Sequence, residues 1–307
     1  MKTSWVCALA AGCAVSAVTP GVLASIPLTV GNLLVTEEIP GNVWEHHGVT
    51  GNLVQNFAIV APPRALMGVH TGGPSGNVLV GSNGGGVREY DRNTGALVKT
   101  YNAGGGWQWA GIWRPNGNVL IGDWNTNDIR EYNGVTGGLV GIFNPVVPNP
   151  ADMIYGPNGN VFVCSFLGGV FELDGSTGAL INQWAPGVGQ ANDIVFMPDG
   201  RRIVMSMTSN SAHVFDASWN QIAMFTGTGW GRPHGIDVSP IDGNIYAVDG
   251  VSQSVHVFDA TTYAELNTSF LNTPTKPVDL EFVRAIPAPG GVVLAGVATL
   301  VARRRRR

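Results

Sequence analysis

The sequence predicts an all-β fold: a six-bladed β-propeller closed by strands from both ends of the chain. Three observations lead there. Short runs of alternating apolar residues are separated by polar Gly/Asp/Ser turns, as over residues 233–259. Alternation with a period of two between turn signals marks half-buried antiparallel strands. The pattern also repeats: Gly31-Asn32, Gly76-Asn77, Gly117-Asn118, Gly159-Asn160, Gly200-Arg201 and Gly243-Asn244 are spaced by 45, 41, 42, 41 and 43 residues. A period of that length with several strands per unit points to a propeller. Composition agrees, because 43 glycines, 9 tryptophans and only 12% charged residues in 307 suit many short strands better than helices.

Each unit offers four strand positions. First strands, at residues 66–69, 111–113, 153–155, 194–196, 236–238 and 280–282, are expected to line the central channel. Second strands follow the Gly-Asn turns, at 33–35, 78–80, 119–121, 161–163, 203–205 and 245–248. Third strands include 87–90, 129–132, 170–173, 212–215 and 255–258, and outer fourth strands include 96–101 and 179–184. The chain enters on a second strand and leaves on a first one, so the last strand must complete the first blade. Closure of this kind removes exposed sheet edges between the ends. The turn from third to fourth strand reads Asp91-Arg92-Asn93-Thr94-Gly95, with Asn133 and Asp174 in the same register. The side-chain oxygen bonds backbone across the turn, and glycine takes the positive φ. His47 occupies that register in the first unit, so His46-His47 is expected to be structural and not a metal pair.

Both termini read as targeting segments. Lys2, an apolar stretch over 6–18, the breakers Pro20 and Gly21, and Val22-Leu23-Ala24 make a secretory signal peptide over 1–24. Cleavage there removes Cys7 and Cys13 and leaves Cys164, in an apolar run, as an inert packing thiol without a disulfide partner. The propeller is expected over 25–284. Residues 285–307 carry Pro287-Ala288-Pro289, an apolar stretch through Ala302 and five arginines. The stretch is short for a ~30 Å hydrocarbon core, and the arginines hold its end in the cytoplasm. Without Lys2 and those arginines, 11 basic residues face 21 acidic ones. Such an acidic core argues against nucleic acid, which is bound through Lys and Arg.

The tail resembles the PEP-CTERM sorting signal, with Ala288 where that motif has glutamate. The resemblance implies an exosortase-type processing enzyme as partner, and delivery to the cell surface or its polysaccharide matrix. Membrane contact through the tail would then be transient or permanent. A plain tail anchor is the alternative, and both readings place the core outside the cytoplasm. Pro233-His234-Gly235-Ile236-Asp237-Val238, with residues 243–249 and 255–259, resembles the NHL repeat. All six units share its rhythm over residues 31–283. The wider relatives are six-bladed propellers of the gluconolactonase and streptogramin-lyase type. They include binding scaffolds and enzymes, so the fold does not select a function.

Function is expected on the face that gathers the loops entering first strands and those leaving second strands. Asp152, Asp193 and Asp279 hold equivalent places at the starts of first strands. Asn192 precedes Asp193, and His234 precedes the glycine that replaces aspartate in its unit. Glu37, Glu38, Asp123 and Asp249 end second strands nearby. A ring of carboxylates suits Ca²⁺, which takes oxygen ligands. The gluconolactonase-type resemblance implies a metal held by Glu37 or Glu38, Asn192 and Asp193; the alternative is that each aspartate caps a turn. Trp107, Trp109, Trp124 and Trp230, in glycine-rich loops with His234 close in sequence to the last, form a candidate sugar-binding surface. The alternative is that these rings wedge between blades. No G-x-S-x-G elbow is present, and for a lyase His234 would be the general acid or base beside Asp193. The leading expectation is a secreted, surface-sorted, monomeric, non-catalytic binding or matrix module without a cofactor, for polysaccharide or surface proteins. The competing one is a metal-dependent, lactonase-like hydrolase or lyase at the channel mouth, with Ca²⁺ as the candidate ion. A propeller that only displays surface area is the third.

Overall fold

The computed structural model describes residues 26–60, 65–101, 106–109 and 111–286. The signal-peptide stretch, Cys7, Cys13 and the tail from Pro287 onward lie outside these residues. The described chain forms six four-stranded antiparallel sheets. Five take their strands in chain order, and their inner strands are Leu66–Gly72, Gly111–Trp113, Pro150–Tyr155, Ala191–Phe196 and Pro233–Val238. These are the second to sixth blades. In the first blade the last strand, Pro277–Phe282, lies inside Leu33–Glu37, followed outward by Asn42–His46 and Leu53–Ile59. Leu33 faces Phe282 and Val35 faces Leu280 across that joint. The pairing runs on beyond it, since Gly31 donates its N–H to Val283 O and Val283 donates to Asn32 O, both at 2.8 Å.

Blades pack face to face through their alternating apolar residues. Leu33, Val35, Leu280 and Phe282 of the first blade meet Tyr246, Val248, Val255 and Val257 of the sixth. Repeated polar contacts hold each unit. The asparagine of the Gly-Asn turn donates to a third-strand glutamate in four blades: Asn32 to Glu45 (2.8 Å), Asn77 to Glu89 (2.7 Å), Asn118 to Glu131 (2.6 Å) and Asn160 to Glu172 (2.7 Å). Part of the acidic character is thereby spent on structure. In the outer turns Asp91, Asn133, Asp174 and Asp259 accept the N–H groups two and three residues on. His47 Nδ1 replaces them in the first unit, 3.3 Å from the nitrogens of Val49 and Thr50. His46 Nδ1 lies 3.0 Å from Gly51 O. Both histidines therefore serve the turn. Cys164 is buried, and burial pushes its thiol well above the usual range.

Inner strands of the fourth, fifth, sixth and first blades begin three residues earlier than the alternation indicates, at Pro150, Ala191, Pro233 and Pro277. Register irregularities between Pro150 and Met153, Ala191 and Asp193, and Pro233 and Ile236 interrupt the period of two. An extra residue in one strand does this, and proline at a strand's first position is compatible with sheet. Asp152, Asn192, His234 and Asp279 consequently belong to the channel wall and not to the loops above it. Among the described residues no helix is long and apolar enough to cross a membrane.

Candidate functional site in the central channel

Residues two apart on an inner strand face the same side. The upper rung of the channel holds Asp152, Asp193 and Asp279, with Gly68 and Gly235 at the equivalent places in the second and sixth blades. The rung below holds His70, Ile154, Val195, Asp237 and Glu281.

The carboxylates act first as straps between blades. Asp193 Oδ2 accepts the Ile236 N–H of the sixth blade at 2.6 Å. Asp237 Oδ2 accepts the Phe282 N–H of the first at 2.9 Å. From the first blade to the second, Asp279 Oδ2 accepts the Val69 N–H and Glu281 Oε2 the Thr71 N–H, both at 2.7 Å. The last three of these bonds join the blade assembled from both ends of the chain to its two neighbours. Gly235 is required where a strap passes, because a Cβ there would collide with Asp279 Oδ1. Burial, then the neighbouring carboxylates of Asp152 and Asp279, raises the Asp193 pKa well above the usual range. Asp279 is raised by burial and Asp152, against the pull of His70.

The upper end is plugged. Trp109, 4% exposed, lies just before the third blade's inner strand and reaches His234 on the sixth, on the far side of the ring. The two rings stack with centroids 5.9 Å apart at 23°. Trp124 stacks on Trp109 at 5.9 Å and 19°, and Phe166 meets it edge-on at 4.8 Å. Beneath lies a void of about 10 Å³ lined by Met67, Trp109, Asp152, Asn192, Asp193 and His234 among others, the space of about one water. Asn192 Nδ2 donates to the carbonyls of Pro233 and His234 at 3.0 and 3.1 Å. Burial, with a smaller contribution from Arg232 and Lys276, pushes the His234 pKa down to about 3. His234 is thus a neutral, enclosed ring, unsuited to the general acid or base role that its sequence context suggests.

Two of the four tryptophans expected at the ligand surface are inside. Trp109 is the plug. Trp230, 9% exposed, meets Phe258 and His256 edge-on at 5.4 and 5.8 Å. Large flat rings in glycine-rich loops fill the gaps where blades diverge, and that burial outweighs their display. Trp107, at 40% exposure, and half-buried Trp124 remain at the surface as a tilted pair 5.7 Å apart.

The expected metal set is split: Asp152, Asn192, Asp193 and Asp279 line the small void, while Glu37 and Glu38 stand apart from it. Glu37 is buried and accepts from Trp44 Nε1 at 2.6 Å, while Glu38 lies 3.4 Å from Arg232. Neither lines a channel cavity. Asp123 and Asp249 accept backbone N–H groups of their own turns. Among the described residues no three of His, Cys, Asp and Glu are grouped to hold a metal ion. Each oxygen of Asp193 and Asp279 accepts a backbone N–H, whereas Asn192 Oδ1 is buried without a hydrogen-bond partner.

The lower end is open. A cavity of about 360 Å³ begins below the three aspartates and reaches exposed Pro157 and Arg284 at the rim. Its walls differ. The fourth and fifth blades contribute Ile154, Tyr155, Val195 and Phe196; the sixth, first and second contribute Asp237, Glu281 and His70, joined by Arg284. The charges alternate along that second wall. Arg284 lies 2.7 Å from Asp237 and 3.5 Å from Glu281, and His70 lies 3.6 Å from Glu281 and 2.7 Å from Asp152. Burial by itself depresses His70, but Asp152 first, then Glu281 and Asp279, outweigh it and push the pKa up to about 10. His70 is therefore an imidazolium at neutral pH. Sequence reading passes over this residue. The signal is present: stepping two residues on from the upper-rung positions lands on His70, Asp237 and Glu281.

No family model and no curated protein matches the chain. Solved structures do. A chain in the crystal structure of a nidogen/laminin complex is similar over 83% of this chain and 99% of its own, with a TM-score of 0.68 and 13% identity. A protein of unknown function from Bacteroides caccae is similar over 81% of this chain and 97% of its own, with a TM-score of 0.63 and 15% identity. The likeness is one of fold. It supports the six-bladed propeller and carries no activity across.

Proposed function

We propose that this protein is an extracellular, non-catalytic binding module, sorted to the cell surface by its tail, whose glycan ligand enters the lower end of the channel. The observation that carries this reading is the asymmetry of the channel. The end where sequence places catalytic and metal-binding groups is filled by the Trp109–His234 stack, whereas the other opens on about 360 Å³ with a polar wall facing an apolar one. Cavities of that size with a few convergent polar groups are the usual form of small-ligand sites. His70, paired with Asp152, is charged and supplies no base at neutral pH. The NHL-like rhythm and the exosortase-type processing of residues 285–307 belong to the same reading.

The test uses full-length protein, titrated with extracellular polysaccharide by calorimetry. Lactone turnover and melting in EDTA and in excess Ca²⁺ are followed in the same preparation. The expected result is saturable binding without turnover and one melting curve in both conditions. Turnover with a Ca²⁺-dependent rise in Tm, and no glycan binding, would replace this reading with the hydrolase.

A further inference from the structure

We infer that the lower channel reads chain ends: it takes the terminal residue of a neutral glycan and leaves chain interiors unbound. This rests on the binding reading above. Three features of the cavity lead to it.

The cavity is blind. Above the aspartate rung the described residues leave a water-sized void, lined by the buried Trp109, Met67 and His234. A polymer cannot thread the ring, so only an end can enter from the rim at Pro157 and Arg284. Volume agrees: about 360 Å³ is the scale of a small-ligand site, which suits a small organic unit and not a folded segment.

The two walls match the two aspects of a sugar ring. Ile154, Val195 and Phe196 offer an apolar surface to its C–H face. Opposite them, the carboxylates of Asp237 and Glu281 accept from hydroxyls, while Arg284 and His70 donate to them. A hydroxyl does both at once and so bridges neighbouring members of this row.

The two cations are already paired. Arg284 sits between Asp237 and Glu281, and His70 between Glu281 and Asp152, in a lining where carboxylates outnumber cations. An anionic ligand would meet that excess of carboxylates and would have to break one of these pairs to gain a partner. A neutral polyol leaves all of them in place and gains charge-assisted hydrogen bonds.

Full-length protein is titrated by calorimetry with linear neutral oligosaccharides of glucose, galactose, mannose and rhamnose, and with uronic-acid and amino-sugar counterparts of equal length. For the sugar that binds, the parent polymer competes before and after partial hydrolysis. The inference expects one site per chain, preference for the neutral member, and inhibition per unit mass that rises with the number of chain ends. Ile154→Trp, which fills the cavity from a half-buried position, should weaken binding by about tenfold or more at an unchanged melting temperature. Arg284→Gln, at the half-exposed rim, is the second variant and should weaken it several-fold even if Ile154→Trp fails to fold. Trp107→Ala, at the opposite end, should leave affinity unchanged. Inhibition independent of the number of ends, preference for a charged sugar, or loss of binding in Trp107→Ala but not in Arg284→Gln, would overturn the end-reading site and leave the binding reading standing. Binding of no sugar at all by the wild-type protein would remove both.

Discussion

His70 and His234 both sit on inner strands of one channel, and the fold gives them opposite protonation states. His234, 2% exposed, is pressed under Trp109, and burial, with Arg232 and Lys276 nearby, keeps it neutral. His70 is half-buried in the wall of the lower cavity, and Asp152, Glu281 and Asp279 surround it and hold its proton. Burial acts the same way on each; the difference is the carboxylates that reach one and not the other. The contrast extends to the ends of the channel that they occupy. Among the described residues the upper end is packed, whereas the lower end is open and lined by paired charges. A histidine among aspartates in sequence is thus no guide to an active site until its neighbours in space are known.

Four measurements test this contrast. The largest effect is expected at the plug: Trp109→Ala should cost about 3–5 kcal/mol in urea unfolding, because Trp124, Phe166 and His234 all lose a packing partner. A cost below about 1 kcal/mol would mean that the upper end is not packed shut. Next, Asp152→Asn keeps shape but removes the charge facing His70. It should cost about 1–3 kcal/mol and lower the His70 titration, followed by NMR of the imidazole, from about 10. An unmoved titration would assign the proton to other groups.

The third measurement is the pH dependence of stability, where the two histidines should act on opposite limbs. A raised folded pKa gives His70 a contribution that is complete below its unfolded value of 6.5 and is lost as pH rises toward about 10. A depressed folded pKa gives His234 a contribution present above 6.5 and lost as pH falls toward about 3. His70→Gln should therefore flatten the alkaline limb relative to wild type, and His234→Phe the acid limb. Asp193, Asp279 and Glu281, whose pKa values are also raised, lose stability in the same direction as His70, starting from lower pH. Comparing each variant with wild type isolates the histidine. The smallest effect is expected for Trp107→Ala, within about 0.5 kcal/mol, since the ring is partly in water at the rim of the plugged end. A larger loss would show that Trp107 belongs to the plug.

Much of the architecture is legible in the sequence. The spacing of the Gly-Asn turns counts the blades, and the phase of Leu33 against residues 280–282 states how the ring closes, as the Leu33–Phe282 pairing bears out. His47 is recognisable as a turn residue by its register with Asp91. The candidate site is less legible. Register irregularities beside Asp152, Asp193 and His234 hide the alternation that would have placed them in the wall. For Trp109 and Trp230, glycine-rich surroundings look the same in sequence whether a ring is displayed or wedged.

Strand order and turn chemistry are local properties, and the repeat that carries them fixes the blade number and, by its phase at the two ends, the closure. They depend on periodicity and on residues two to five positions apart, and so the amino-acid order alone settles them. Which end of the channel is open, which histidine is charged, and whether an aspartate binds a ligand or straps a neighbouring blade are decided by the folded chain. Asp152 meets His70 across 82 residues, and Asp279 meets Val69 across 210. Desolvation and charge proximity act through space, and only closure of the ring brings these groups within reach of one another.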